Sequence, residues 1–363
     1  QGTGHSSPVV WDDLVFITTA HPDTAQVALL AIHVSDGKTL WSKQYTLKPL
    51  KMNRLNSYAA STPAVDADHV YAVWYGAGQT LMTALDHQGR ELWTRDFGRT
   101  SLVHGASASP IVYQDLVIFA HEQPENDQGL QGYWYALDCK TGQTRWRVKR
   151  ANSAKVSYST PCIYRSHSRQ DQLIFNGNAY GLCAVEPLTG HLLWDMKSIL
   201  PARVVASPVL AGGLIVNTCG SGGGGKQMTV IRPAGAESAG AQTAYTLSGR
   251  VVPYVPTPLA RDKWLFAVHD GGQISCLEMA TGKALWREKP GGRFYSSPVC
   301  ARDKLFCVDM TGTCIVLKAS DQYELLAVND LGESSYATPA IANGRLFVRT
   351  LSQLICIKSQ SGS

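Results

Sequence analysis

The chain has 363 residues, 44% of them hydrophobic and 17% charged, with a formal net charge of +5. That is a globular composition, and no apolar run approaches the roughly 20 residues of a membrane-spanning helix. No secretory leader is visible at the start.

Taken in chain order, the first 50 residues spell one β unit. Ser7-Pro8-Val9-Val10 leads to a turn at Asp12-Asp13, then Leu14-Val15-Phe16-Ile17, an apolar run at 28–32, a turn at Asp36-Gly37, and Thr39-Leu40-Trp41. These are four short strands rich in β-branched and aromatic residues, separated by turn chemistry. The unit then recurs. Ser-Pro or Thr-Pro returns at Pro8, Pro63, Pro110, Pro161, Pro208, Pro258, Pro298 and Pro339, at intervals of 40 to 55 residues. A turn glycine followed four residues later by tryptophan rides in phase: Gly37/Trp41, Gly89/Trp93, Gly142/Trp146, Gly190/Trp194 and Gly282/Trp286. No segment carries a sustained 3.6-residue apolar period. Repeats of this length made of four strands predict an all-β fold. Specifically, they predict an eight-bladed β-propeller of four-stranded antiparallel blades, beginning near residues 6, 61, 109, 159, 207, 257, 297 and 338. The whole chain, 1–363, is then one domain. The recurring Trp41, Trp93, Trp146, Trp194 and Trp286 are expected to dock one blade on the next.

Three units depart from the pattern. The fifth offers Tyr245 in place of the tryptophan, the seventh offers Leu325-Leu326, and the eighth stops after its third strand, at 354–357. The last blade is therefore incomplete in this chain. Its fourth strand is expected from the other terminus, yet only residues 1–5 precede the first repeat, so an upstream segment is expected to be missing. An unpaired edge would otherwise remain.

Nine cysteines fall mostly within strands, where a free thiol behaves as a small buried hydrophobe. No C-x-x-C occurs, so a zinc or dithiol site has no support. Gly220–Lys226 scans as G-x-x-x-x-G-K, but Gln227 stands where a hydroxyl is required and the context is a hairpin; a flexible loop is expected. His121, Glu122, Glu125 and Asp127 read as an exposed acidic loop, and the scattered histidines supply no phased nucleophile–base pair. No catalytic or metal-binding residue is assigned.

Charge and aromatic placement are more informative. The seven connections from an outer strand to the next Pro hold 16 Lys and Arg against five Asp and Glu. In a propeller they emerge on one face, which is then basic and attracts anionic partners. Tyrosines stand just before the prolines, in phrases such as Tyr-Ser-Thr-Pro, Tyr-Ser-Ser-Pro and Tyr-Ala-Thr-Pro. The resulting candidate ligand-binding funnel comprises Tyr58, His104, Tyr158, Arg203, Arg250, Tyr254, Arg293, Tyr295 and Tyr336. Tyrosine and arginine around a concavity are favoured in binding sites. Asp330 and Glu333 are the only acids this reading places nearby.

Ala136-Leu137-Asp138-Cys139-Lys140-Thr141-Gly142 followed by Trp146, and 276–282 followed by Trp286, resemble the A-x-D-x-x-T-G-x-x-x-W repeat of PQQ-type (quinoprotein-like) propellers. The resemblance covers the whole chain, and its text is similar to PQQ-like repeat proteins of planctomycete-type bacteria. It implies two alternatives. One is a propeller like the lipoprotein of the outer-membrane β-barrel assembly machinery: a non-enzymatic scaffold, periplasmic or attached to the cell envelope, without cofactor. The other is a dehydrogenase of alcohols or sugars using PQQ with Ca²⁺. The alcohol dehydrogenases hold their quinone under two adjacent cysteines, which this chain lacks, and they carry long insertions that it also lacks. The scaffold is the preferred expectation: a monomer binding a protein or peptide, of acidic or extended character, at the funnel. Nucleic acid is not expected as a partner, and a peripheral envelope association without a transmembrane segment is.

Overall fold

The computed structural model describes residues 2–51, 53–99, 107–124, 129, 131–150, 155–165, 171–234 and 240–358. Among them are 31 strands and no helix. The strands form seven four-stranded sheets and one three-stranded sheet, each a meander in simple sequential order and antiparallel throughout. The fold is an eight-bladed β-propeller whose last blade has three strands. Two compact units are distinguished: Gln1–Ala154 with Pro339–Ser363, holding blades 1, 2, 3 and 8, and Lys155–Thr338, holding blades 4 to 7.

Each recurring proline directly precedes the first strand of its sheet, as in Val9–Trp11 after Pro8 and Val299–Ala301 after Pro298. A proline there removes a donor that the strand start does not need. The hydroxyl residue before it has its own function, which the sequence pattern did not disclose. Its backbone N–H donates to the hydroxyl of the corresponding Ser or Thr one blade on. In the first unit Ser7 N–H reaches Thr62 Oγ1 at 3.0 Å and Thr62 N–H reaches Ser109 Oγ at 2.9 Å. In the second, Thr160, Ser207, Thr257 and Ser297 donate in turn to Ser207, Thr257, Ser297 and Thr338 at 2.9–3.1 Å. The Ser/Thr-Pro repeat is thus an inter-blade hydrogen-bond ladder, which supplies partners that these backbone groups would otherwise lack.

The second repeat mark has a matching cause. Where a fourth strand begins, the register shifts by one residue, and the tryptophan pairs with a small partner: Ala31 with Trp41, Ala84 with Trp93, Ala136 with Trp146. The ring reaches the next blade, where Trp41 Nε1–H donates to His87 O (2.8 Å) and Trp93 Nε1–H to Cys139 O (2.9 Å). It lies flat on that blade's turn glycine. A Cβ at Gly142 would stand 2.6 Å from the Trp93 ring, so the turn glycine is where the neighbouring tryptophan sits. Tyr245 substitutes in blade 5 by donating its hydroxyl to Met279 O at 2.7 Å. In blade 7 the residue in register is Ala327 rather than Leu325 or Leu326, which are exposed.

The core of each unit lies between its sheets. In the first unit Phe16, Leu29, Trp74 and Leu85 pack between blades 1 and 2, and Val15, Ile17 and Leu30 meet Phe347 of blade 8. Among the described residues no strand pairs with the outer side of Leu354–Lys358 in the three-stranded blade 8; Thr3 bridges to Ala20 in blade 1. All nine cysteines are free thiols. Cys183, Cys276, Cys307 and Cys314 are buried, whereas Cys356, on that last strand, is exposed.

Candidate binding face

In every meander the hairpin between second and third strands opens at the same end as the connection to the next blade. That end carries the candidate residues. In the second unit Tyr158, Arg203, Arg250, Tyr254, Arg293, Tyr295 and Tyr336 all fall on such connections. Tyr58 lies on a connection of the first unit, and His104 lies outside the described residues.

Each side chain is placed by its connection. Arg203 is anchored through its backbone, which bridges to Gly220 and accepts the Gly220 N–H at 2.9 Å. Its guanidinium lies against the Tyr254 hydroxyl, and its Nε is buried without a hydrogen-bond partner among the described residues. Tyr254 itself is buried and packs on the bare Cα of Gly220. Tyr295 and Tyr336, from successive connections, pair with ring centroids 6.0 Å apart and planes at 54°. Arg250 and Arg293 are exposed and make no ion pair among the described residues. Tyr158 is half-buried, and its backbone N–H donates to Val204 O at 3.0 Å. Tyr58 is different: it is buried, and its hydroxyl both accepts from Leu50 N–H (2.7 Å) and donates to Leu50 O (3.0 Å). It closes its own loop.

The structure adds acids and a histidine that the spacing analysis overlooked. Asp270 is fully buried and accepts the N–H groups of Tyr254 (2.7 Å) and Val255 (3.1 Å). Burial raises its pKa above the usual carboxylate value, with those two donors opposing the shift. Asp309 accepts from Gly292 N–H and from Thr311 and Thr313. Asp330 and Glu333 are therefore not the only acids near the connections. A signal was available: Val268-His269-Asp270-Gly271 and Val308-Asp309-Met310-Thr311 occupy one phase, immediately after the second strand.

Other sequence readings also change. The glycine tract is a tight hairpin rather than a flexible loop. Ser221 pairs with Gly224 across a two-residue Gly222-Gly223 turn with φ of +65° and +79°. A Cβ at Gly225 would sit 1.9 Å from Val252 O. His121 and Glu122 are buried rather than exposed; residues 125–128 lie outside the described residues. His33 does meet a hydroxyl and a carboxylate, with Ser35 Oγ 2.9 Å from Nδ1 and Asp13 3.3 Å from Nε2. Asp36 contacts the same Nδ1 at 3.2 Å, and the cluster is an exposed turn at the opposite end of blade 1.

The donor set does not suit Ca²⁺ with a quinone. Among the described residues no three His, Cys, Asp or Glu side chains come close enough to hold a metal ion, and Asp270 and Asp309 are taken up by backbone N–H groups.

A profile of the family described as outer membrane protein assembly factor BamB matches residues 31–239 and 239–363. The assembly factor BamB of Yersinia pestis is 21% identical over 351 residues, covering 90% of this chain and 85% of its own length. The crystal structure of BamB from Moraxella catarrhalis superposes with a TM-score of 0.68 at 15% identity, covering 99% of this chain and 95% of that one. The quinohemoprotein alcohol dehydrogenase of Comamonas testosteroni superposes with a TM-score of 0.65 at 12% identity, covering 96% of this chain and 70% of that one. At such identities the two superpositions speak for the fold alone.

Proposed function

Because this chain belongs to the BamB family of outer membrane protein assembly factors, we propose that it is a non-enzymatic binding propeller of the bacterial cell envelope. It holds a protein or peptide partner at the connection end of blades 4 to 7. Its location is periplasmic, by likeness to relatives named for outer membrane assembly; none of its described residues forms a helix able to cross a membrane. It works as a monomer and as a single propeller domain, and binding requires no cofactor.

The observation that carries this reading is the uncompensated charge beside paired aromatic rings. Arg250 and Arg293 are exposed without ion-pair partners among the described residues, and Arg293 lies beside Tyr295, whose ring pairs with Tyr336. Solvated arginines on a surface usually find a carboxylate or remain scattered. Grouped with tyrosines, they offer planar, hydrogen-bonding anchors of low entropic cost. The test is capture from detergent-solubilised envelopes of the native host, with partners identified by mass spectrometry. The Arg203→Glu/Arg293→Glu protein is expected to lose the partner that the unaltered protein retains. Equal capture by both would discard this face as the site.

A further inference from the structure

The face described above carries a smaller feature that specifies what it recognises, and the inference rests on that binding role. The Gly222-Gly223 turn comes against two side chains from later blades. A Cβ at Gly223 would lie 3.1 Å from an Nη of Arg293, and one at Gly224 would lie 3.4 Å from His269 Nε2. The glycines thus let a guanidinium and an imidazole close on the tip of the hairpin. His269 is oriented from behind, because Gly271 N–H donates to its Nδ1 at 2.8 Å. The neutral ring must then carry its proton on Nε2, the atom facing the turn. One cation and one neutral ring donor thus lie against adjacent glycines of the same hairpin tip, whose Gly222 and Gly223 N–H groups are unpaired among the described residues.

We propose that Arg293, His269 and the Gly222-Gly223 turn form a subsite for one carboxylate, the Asp or Glu side chain of an extended acidic peptide. Arg293 supplies the charge and can meet a carboxylate with two parallel N–H donors, while His269 Nε2–H adds a third. A singly charged group suits the site better than a phosphate dianion. Asp270 lies one residue from His269, buried and held by Tyr254 and Val255, and its own negative charge penalises a second full charge nearby. Arg203, with its Nε unpartnered, and Arg250 extend the positive field on either side.

The test uses the full chain and two blocked pentapeptides, acetyl-Gly-Glu-Tyr-Glu-Gly-amide and its Gln counterpart, with inorganic phosphate as a third ligand. Binding is read by calorimetry and by the ¹⁵N and ¹H shifts of the His269 ring. The Glu peptide is expected to bind at least tenfold more tightly than the Gln peptide and to move the His269 Nε2 signal. Arg293→Gln should weaken it about tenfold, a charge-assisted hydrogen bond being worth that much. His269→Asn, which can still accept from Gly271 N–H but cannot reach the turn, should weaken it about threefold. Lys283→Gln, at the opposite end of blade 6, should leave it unchanged. Equal binding of both peptides, no binding at all, or indifference to Arg293→Gln overturns the proposal. So does phosphate binding tighter than the Glu peptide at the same residues. Those outcomes leave the envelope-capture reading standing if Arg203→Glu/Arg293→Glu still loses its partner, so the two can fail separately.

Discussion

The two units differ in what they do with particular ionisable groups at the connection end. In the unit of blades 1, 2, 3 and 8, Arg349 and His121 are drawn inward, while Lys48, Lys51, Arg54 and Arg99 stay exposed. Arg349 is buried and donates through one Nη to Ser6 O (3.2 Å), Ser6 Oγ (2.6 Å) and Thr18 O (2.6 Å). Burial lowers its pKa to about 10. His121 is buried beside Thr80 Oγ1 at 3.1 Å, and burial lowers its pKa to about 4; His5 is shifted likewise, with Arg349 adding to the effect. In the unit of blades 4 to 7, Arg250 and Arg293 point to solvent and His269 is only half-buried. The same residue types therefore stabilise the fold in one place and present a surface in the other. What separates them is whether carbonyl acceptors of a neighbouring strand lie within reach.

That contrast can be broken, and the largest expected effect is at Arg349. Arg349→Met takes the guanidinium donor from Ser6 O, leaves Thr18 O only the longer bond from the Ser6 hydroxyl, and should cost about 4 kcal/mol of stability, measured by urea unfolding. A loss below about 1 kcal/mol would show that Arg349 is not a structural cation. Trp93→Ala should cost about 3–5 kcal/mol, by removing a buried wedge and its bond to Cys139 O; an unchanged thermal midpoint would refute the docking of blade 2 on blade 3 through this ring.

Acid should act unevenly. His121 has a folded pKa below its unfolded value, so the unfolded chain takes up the proton first. Stability is complete above about pH 6.5, falls as pH drops toward about 4, and is constant below that with respect to this group. The loss for His121 amounts to about 3 kcal/mol across the window. Asp270 has the opposite sign, since its raised pKa means that protonation relieves the folded state. Amide exchange at pH 4.5 should therefore show blades 1–3 opening before blades 4–7. His121→Gln should flatten the pH dependence of the midpoint; an unaltered slope would place the acid sensitivity elsewhere. The smallest effect is expected at Arg293, where Arg293→Gln should change stability by no more than about 0.5 kcal/mol while weakening carboxylate binding. A larger destabilisation would make Arg293 a structural residue like Arg349.

Much of this fold could be read from residue order because each blade is a local structure. A meander of four strands with short turns writes its period directly into the chain, and both marks survive in three dimensions at named positions, Pro8 to Pro339 and Trp41 to Trp286. Their physical meaning did not come through, because it depends on residues 40 to 55 positions apart: Ser7 needs Thr62, and Trp93 needs Gly142. The site was readable only in part. Arg203, Arg250, Arg293 and the tyrosines sit on the connections where counting put them, but Tyr58 is spent on Leu50. His269 and Asp270 went unnoticed, because a hairpin tip carries no repeat signature as strong as the prolines.

By itself, then, the order of residues determined the number of blades, the strands in each, the turn glycines that precede the tryptophans and the unfinished last sheet, because these follow from pattern over a few residues. Which arginine is buried and which is offered to a partner was decided only by tertiary structure. A guanidinium's environment is set by the carbonyls and rings that distant strands bring to it, and neither Arg349 nor Arg293 carries that information in its immediate neighbours.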